Sequence, residues 1–350
     1  MKTAPRARRR LPLPAAVSAA LLLSAASALA WGGAQHVYIN RFAAKNVPEE
    51  MAPFRAFAQP MTFPAIYPDL WKSYDATENA RHYFEPDRLP KHFDFSALSP
   101  DQDLALKAAG LTRDELGIAP WTIAALTAQL SDAMRTNDWL WAARVGATLG
   151  HYVGDIHMPL HCTRNFNGWE TRQTGVHGRF ESEMVKAFFN ASELFVPHPA
   201  YIEDPFAAAV EWCLHSYSLC EIVLQADLDA TRAADGRTDT EEYYAEFWVR
   251  TGELAMDQIG WAAAHLASLW YTAWVDAGRP EIPPPFEEIP VYSIFSGVGI
   301  DAPETDGTPL PDPNKKRFDL IIRSVLGALL LLALLSAIFR PRSSARSSRP

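Results

Sequence analysis

The stretch His151-Tyr152-Val153-Gly154-Asp155-Ile156-His157-Met158-Pro159-Leu160-His161 holds three imidazoles and a carboxylate within eleven residues, directly after a long apolar helical pattern. At 3.6 residues per turn, His151 and Asp155 stand one above the other on a single helix face. An imidazole and a carboxylate at that spacing are a ready pair of ligands for zinc or a similar divalent ion. Pro159 ends or disturbs the helix, so His161 can swing out of register toward a neighbouring site. His157 lies about 200° round the helix from Asp155 and reads as structural or supporting. A lone histidine in such a helix is ordinarily a polar or core residue. A cluster this dense asks for further ligands elsewhere in the chain.

Candidates lie on both sides. Downstream, His177-Gly178-Arg179-Phe180-Glu181 repeats imidazole and carboxylate at i and i+4. Upstream, Asp69 and His82 bracket the segment 71–81, with His92 competing with His82 for the ligand role. Near the start, Trp31-Gly32-Gly33-Ala34-Gln35-His36 offers a backbone carbonyl and an imidazole. It also offers a free α-amino group if the chain is cut before Trp31. His198, His215 and His265 have no partner in the sequence pattern, and surface or core roles are their default.

Such a cut is expected. Residues 1–30 carry Lys2, Arg6, Arg8, Arg9 and Arg10, then an apolar run closing on Ala28-Leu29-Ala30, the pattern of a secretory signal peptide. At the far end, 318–339 is apolar apart from Asp319, Arg323 and two serines, long enough to span a bilayer if Arg323 snorkels. Arg340, Arg342, Arg346 and Arg349 follow it and favour a cytoplasmic tail over 340–350. A buried core helix and a processed sorting tail are the alternatives. The expected protein is exported and anchored by a single pass, with its body outside the cytoplasm.

The formal charge of −9 conceals an asymmetry. Without residues 1–30 and 315–350, the body keeps 19 basic and 40 acidic residues, a formal −21. That surface repels nucleic-acid polyanions unless bound cations offset it, and several of the carboxylates are candidate metal ligands. The 48% hydrophobic and 21% charged content allows a substantial core. Helical pattern dominates near 100–110, 119–134, 137–157, 179–190, 205–230 and 240–277, with a helix beginning at 37–44 and another after Pro48. Residues 71–100 read as a loop-rich excursion and 163–176 as a polar loop. Strand-like alternation is scarce, so the body, 31–277, is expected to be one all-α domain. Residues 278–317 form a Pro-rich linker, semi-extended and without a core. Val210, Cys213, Leu214, Tyr217 and Leu224 form an apolar stripe expected in the core, as do Leu254, Ile259, Leu266 and Trp270. Cys213 and Cys220 lie seven apart in a helical pattern, too far to bridge, whereas Cys162 could pair with either in an oxidising compartment.

Taken together, these residues resemble the zinc-dependent phospholipase C and single-strand nuclease superfamily. The matching features are Trp31 and His36, the His-x3-Asp-x5-His run of His151, Asp155 and His161, and the pair His177 and Glu181. Asp69 and His82 match the remaining pair. The resemblance covers most of 31–190, with weaker helical agreement to about 277. It implies an all-α, multi-helix phosphodiesterase domain holding three zinc ions. One zinc would take Asp69, His82, His151 and Asp155. A second would take the amino and carbonyl groups of Trp31, His36 and a shared Asp155, and the third His161, His177 and Glu181. The implied reaction is in-line attack of a zinc-bound hydroxide on phosphorus, with Asp155 bridging two ions and Asp69 a candidate for orienting the attacking water. Asp69 and Asp155 are thus the candidate catalytic residues.

The phosphodiester itself is divided between two classes. Glu181 and the run His82-Tyr83-Phe84-Glu85-Pro86-Asp87 resemble the bacterial phospholipases, and that run favours His82 over His92. The five-residue step from Trp31 to His36 resembles the nucleases. The phospholipases' choline-reading glutamate corresponds to Ala34, against a phosphatidylcholine preference. Tyr83, Glu85 and Asn165 are candidate substrate contacts. An acidic body and a membrane anchor favour a phospholipid substrate. A single-strand nuclease or nucleotidase is the alternative, and a non-catalytic zinc-stabilised surface domain the second. The sequence implies no protein partner.

Overall fold

Among the described residues, four of the seven α-helices with eight or more residues begin where a side-chain oxygen accepts a first-turn N–H, the group a helix start otherwise leaves without a partner. The computed structural model describes residues 33–73, 75–286 and 293–295. The long helices are α1 (Gly33–Asn46), α2 (Gln102–Ala109), α3 (Ala119–Arg135), α4 (Trp139–Ile156), α5 (Pro205–Ser218), α6 (Cys220–Ala233) and α7 (Glu241–Asp276). Asp101, Asp138, Asp204 and Thr240 cap α2, α4, α5 and α7. Short α, 3-10 and π turns fill much of the remainder, and no strand occurs among the described residues. The all-α expectation holds.

Contacts divide the chain into residues 1–289 and 290–350, and every helix named here lies in the first unit. Helix α7 packs against α1, α3, α4 and α6, and α3 packs against α4, to which three residues join it. Sixteen of the eighteen residues of α4 are buried, so this helix is the centre of the core and lacks a wet face. Its glycines permit that. A Cβ on Gly150 would collide with the Asn40 carboxamide and come 2.7 Å from Leu266. Asn40 is itself buried and donates to the carbonyls of Met61 (2.9 Å) and Ala147 (3.1 Å), tying α1 to α4. A Cβ on Gly154 would come within 2.9 Å of His36 Nδ1. The glycine spacing therefore brings α1, and with it His36, against the His151–Asp155 face. Gly150→Ala is expected to destabilise the fold by about 1–3 kcal/mol through overpacking and the displaced Asn40 bonds, read as a lower urea midpoint at unchanged slope.

Two expectations need correction. The helix over 205–230 is two helices, α5 and α6, meeting at Leu219, whose N–H closes on Ser216 O at 3.1 Å in a tightened turn. The apolar stripe breaks there: Val210 and Cys213 are buried, but Tyr217 is 39% exposed. Of the second stripe, Ile259, Leu266 and Trp270 are fully buried and Leu254 is half-buried. The Pro-rich segment also starts closer to the body than a free linker would. Trp274 Nε1 donates to Pro280 O (2.9 Å), and Phe286 packs edge-on to Phe57. No helix of the described residues is long and apolar enough to cross a membrane. The candidate signal segment 1–30, the candidate span 318–339, the basic tail and Trp31 all lie outside the described residues.

Candidate metal centre

Seven short or long elements converge around Asp155. Helix α1 carries His36, the turn Tyr67–Trp71 carries Asp69, and the 3-10 turn Asn79–His82 carries His82. Helix α4 supplies His151 and Asp155. Pro159 acts as its sequence position suggests: Met158 leaves the helical region at φ −87°, ψ 112°, and a new 3-10 turn, Pro159–Cys162, presents His161. Past the polar loop, Val176–Gly178 runs into a single π-helical turn, Arg179–Met184, that carries Glu181 one turn beyond His177. Asp87 pins the near end of that loop by accepting from Thr163 Oγ1 (2.7 Å) and Arg164 N (3.1 Å). Arg179 pins the far end through Asp227 and the carbonyls of Gln173 and Thr174.

The ligating atoms face one another. Asp155 lies 3.4 Å from His36 Nε2, 2.9 Å from His82 Nδ1 and 3.3 Å from His151 Nε2. Asp69 Oδ1 lies 3.7 Å from His151 Nε2 and 3.9 Å from His82 Nδ1. Glu181 Oε2 lies 3.1 Å from His177 Nε2 and 3.8 Å from His161 Nε2. Among the described residues three sets can each hold an ion: His36, Asp69 and His151; His82, His151 and Asp155, which shares His151 with the first; and, separately, His161, His177 and Glu181. Eight of the nine expected ligand residues thus come together, the ninth being Trp31. His92 is exposed, outside these sets.

The outer nitrogens explain how four of the rings are aimed. His151 Nδ1 donates to Ala65 O (2.8 Å), His161 Nδ1 to His82 O (2.6 Å) and His177 Nδ1 to Phe166 O (3.2 Å). His82 is turned the other way, its Nε2 donating to Glu78 Oε1 (3.2 Å). Each donation fixes the tautomer and leaves a lone pair on the inward nitrogen, the arrangement that metal-ligating histidines use. Glu78 is fully buried, is held by Arg81 (3.0 Å) and the Tyr152 hydroxyl, and burial raises its carboxyl to about 7.

The electrostatics of the centre suit a cation. Both oxygens of Asp155, Asp69 Oδ2 and His161 Nε2 are buried without a hydrogen-bond partner. Burial pushes the Asp155 carboxyl well above the usual range, against the pull of His161 and Lys72. Burial also holds His82 and His151 well below the usual imidazole range, with Lys72 acting on His82 and His36 on His151 in the same direction. Imidazoles kept neutral beside unsatisfied carboxylate oxygens are what a divalent cation requires. Glu181 differs: burial opposes its ionisation, but His177 and His161 outweigh that and hold it at about 2.

A cleft of about 680 Å³ opens over these groups, and His82, His161 and His177 form part of its lining. Tyr83 and Glu85 also line it. The Tyr83 hydroxyl donates to Asp114 O (2.7 Å), and Glu85 is neutralised by Arg88 at 2.5 Å. Asn165 is not brought to the cleft wall. Its amide serves the loop, accepting from Glu170 N (2.8 Å) and donating to Thr171 Oγ1 (3.1 Å). Two further residues belong to the site. Lys72 lines the cleft with Nζ 2.8 Å from Asp69; burial disfavours its charge, but Asp69 and Asp155 outweigh that and raise its pKa. Glu78 is the other. Sequence signals for both exist, since Lys72 follows Asp69 by three residues and Glu78 precedes His82 by four. His157 and His265 form a separate pair, 2.8 Å apart. Burial lowers His157 to about 4 and His265 to about 2.

The fold and site define an all-helical protein with buried imidazole–carboxylate clusters, suited to divalent metal, at the floor of a cleft. Neither a scan of protein-family models nor a search of curated sequences finds a match. Among solved structures, the alpha toxin from Clostridium absonum is similar, at 12% identity and a TM-score of 0.44. The similarity covers 71% of this chain and 65% of the toxin, so the chain spans about two thirds of that structure's length.

Proposed function

We propose that the chain is a zinc-dependent phosphodiester hydrolase whose substrates are phospholipids, cleaved as a phospholipase C would. The observation that carries this reading is the orphaned, fully buried Asp155 carboxylate set among imidazole nitrogens beneath an open cleft. His36, Asp69, His82, His151 and Asp155 would hold the paired ions, joined by Trp31 once the signal segment is removed, and His161, His177 and Glu181 a third. Zinc bound there would supply Lewis acidity and lower the pKa of coordinated water from 15.7 to about 7.

The chain's own groups supply the rest. Asp69, gripped by Lys72 through Oδ1, keeps Oδ2 for a metal or for orienting the attacking water. Lys72, with a charge favoured by Asp69 and Asp155, faces the cleft and can bind a phosphate oxygen. Tyr83 and Glu85 are proposed substrate contacts; with Arg88 seated on Glu85, that carboxylate is already paired and is not free for a cationic head group. Asn165 acts on substrate only through the loop it braces. Phe166 lines the cleft beside His177, and Trp169, 59% exposed, meets Phe166 edge-on. An aromatic rim of this kind suits a lipid interface. Export and a membrane anchor at 318–339 would place it beside lipid, and the −21 body disfavours long polyanions.

The same aromatic faces would also stack nucleobases, which favours the single-strand nuclease reading second. The two separate in one assay, with phospholipid vesicles and single-stranded DNA offered to equal amounts of zinc-loaded protein. Faster release of phosphorylated head group supports the lipid reading, and faster DNA cleavage replaces it with the nuclease. Turnover of neither favours a non-catalytic zinc-stabilised domain. Lys72→Met is expected to lower kcat roughly 10- to 100-fold while bound zinc is retained, since it removes a phosphate contact without removing a ligand. Unchanged turnover would remove Lys72 from the site.

A further inference from the structure

We propose that Cys162 and Cys213 form a structural disulfide when the chain folds in an oxidising environment, while Cys220 remains a thiol. Cys162 closes the 3-10 turn Pro159–Cys162, immediately after His161, and Cys213 lies on α5, which packs against that turn. Both side chains are fully buried, and their sulfurs stand 2.8 Å apart, inside the reach of two unbonded sulfur atoms. Cys220 is engaged elsewhere, donating to Pro159 O at 3.0 Å. The sequence leaves Cys162 a choice between two partners, and the fold selects Cys213.

A bond here has a definite mechanical consequence. Cys162 and Cys213 are 51 positions apart, and the chain between them carries the polar loop, His177 and Glu181. Linking its ends limits the unfolded ensemble and anchors the turn that aims His161. Both thiols are fully buried, so the folded, reduced chain offers neither to an oxidant. The exchange therefore belongs to folding, before the pair is covered. Its balance is that of thiol–disulfide exchange with a small disulfide such as oxidised glutathione. One cysteine thiolate attacks a glutathione sulfur, forming a mixed disulfide and expelling one glutathione thiolate. The second cysteine thiolate then attacks the protein sulfur and expels the other. Two S–H bonds are lost and one S–S bond forms in the protein, and the two electrons and two protons end on two glutathione thiols.

The test is refolding of the full chain with oxidised and reduced glutathione, then alkylation under denaturing conditions, mass measurement and chymotryptic mapping. Cleavage at Leu214, Tyr217 and Leu219 separates Cys213 from Cys220. Expected are a mass lower by two hydrogen atoms, alkylation at Cys220 alone, and a fragment joining Cys162 to Cys213. Reduction is expected to lower the melting temperature by roughly 5–10 °C. Three alkylated thiols, or a crosslink that includes Cys220, overturns the pairing, and a crosslink with no change in melting temperature overturns its structural role. The Cys220→Ser variant should form the same bond; if it does not fold, the fragment map of the unaltered chain decides alone.

Discussion

Asp155→Asn is expected to lower phosphodiester turnover by roughly 10³-fold or more and to reduce bound zinc, while helical content is retained. The side chains are nearly isosteric, so α4 loses no volume. What changes is the donor set. Asp155 presents two oxygens without hydrogen-bond partners to His36, His82 and His151, and each can accept a metal bond. Asparagine keeps one oxygen and replaces the other with an amide that donates, so it cannot join two ions. The variant also carries a signature that a general loss of packing would not. Burying the Asp155 carboxylate costs free energy when no cation is present, as its raised pKa records. The metal-free variant should therefore melt at or above the metal-free parent, whereas the zinc-loaded parent should melt above both. Full turnover in the variant, or a metal-free variant that melts well below the metal-free parent, would reject the bridging role.

The features legible in the sequence share one property: their geometry is set within a single helical turn. His151 with Asp155, and His177 with Glu181, meet because four residues of helix place them together, and Pro159 after Ile156 foretells the release of His161. Glu78 and His82 have the same spacing, but they lie in a proline-broken segment of short turns where no extended apolar period marks a helix. Lys72 is hidden for a similar reason, directly after a five-residue turn too short to register as a helix. Tertiary proximity is a different matter. That His36 reaches Asp155 depends on the absence of a Cβ at Gly150 and Gly154, and only the packing of α1 on α4 shows it. The break at Leu219 lies inside a continuous apolar pattern without Gly or Pro, so nothing local announces it. Asn165 shows the converse: a polar loop residue near ligands looks like a substrate contact, yet its amide is consumed in bracing the loop.

Removing the proposed metal is expected to lower the melting temperature by more than about 10 °C, with full recovery on adding zinc. Five of the eight converging residues, His36, His151, Asp155, Glu181 and His82, are 0–1% exposed, so the metal-free fold carries the desolvation of the whole cluster. Zinc binds the assembled cluster far better than the unfolded chain, and its binding energy appears as stability. The pH dependence follows from the directions of the shifts. His82 and His151 are depressed, so below about 6.5 the unfolded chain takes up protons that the folded chain refuses, and stability falls with pH. His157, at about 4, adds to the same loss from 6.5 down to 4. Glu181 behaves as a depressed carboxylate: its contribution is present above its unfolded value near 4.5 and disappears as pH falls through about 2. Asp155, raised in the metal-free fold, has the opposite sign, its contribution being lost as pH rises through its folded value. Zinc would reverse the Asp155 term by holding the carboxylate ionised, so binding at neutral pH should release a proton. Calorimetry in buffers of different ionisation enthalpy measures that proton directly. A melting temperature indifferent to chelation, or zinc uptake with no proton released, would mean that the cluster is a neutral polar core rather than a metal centre.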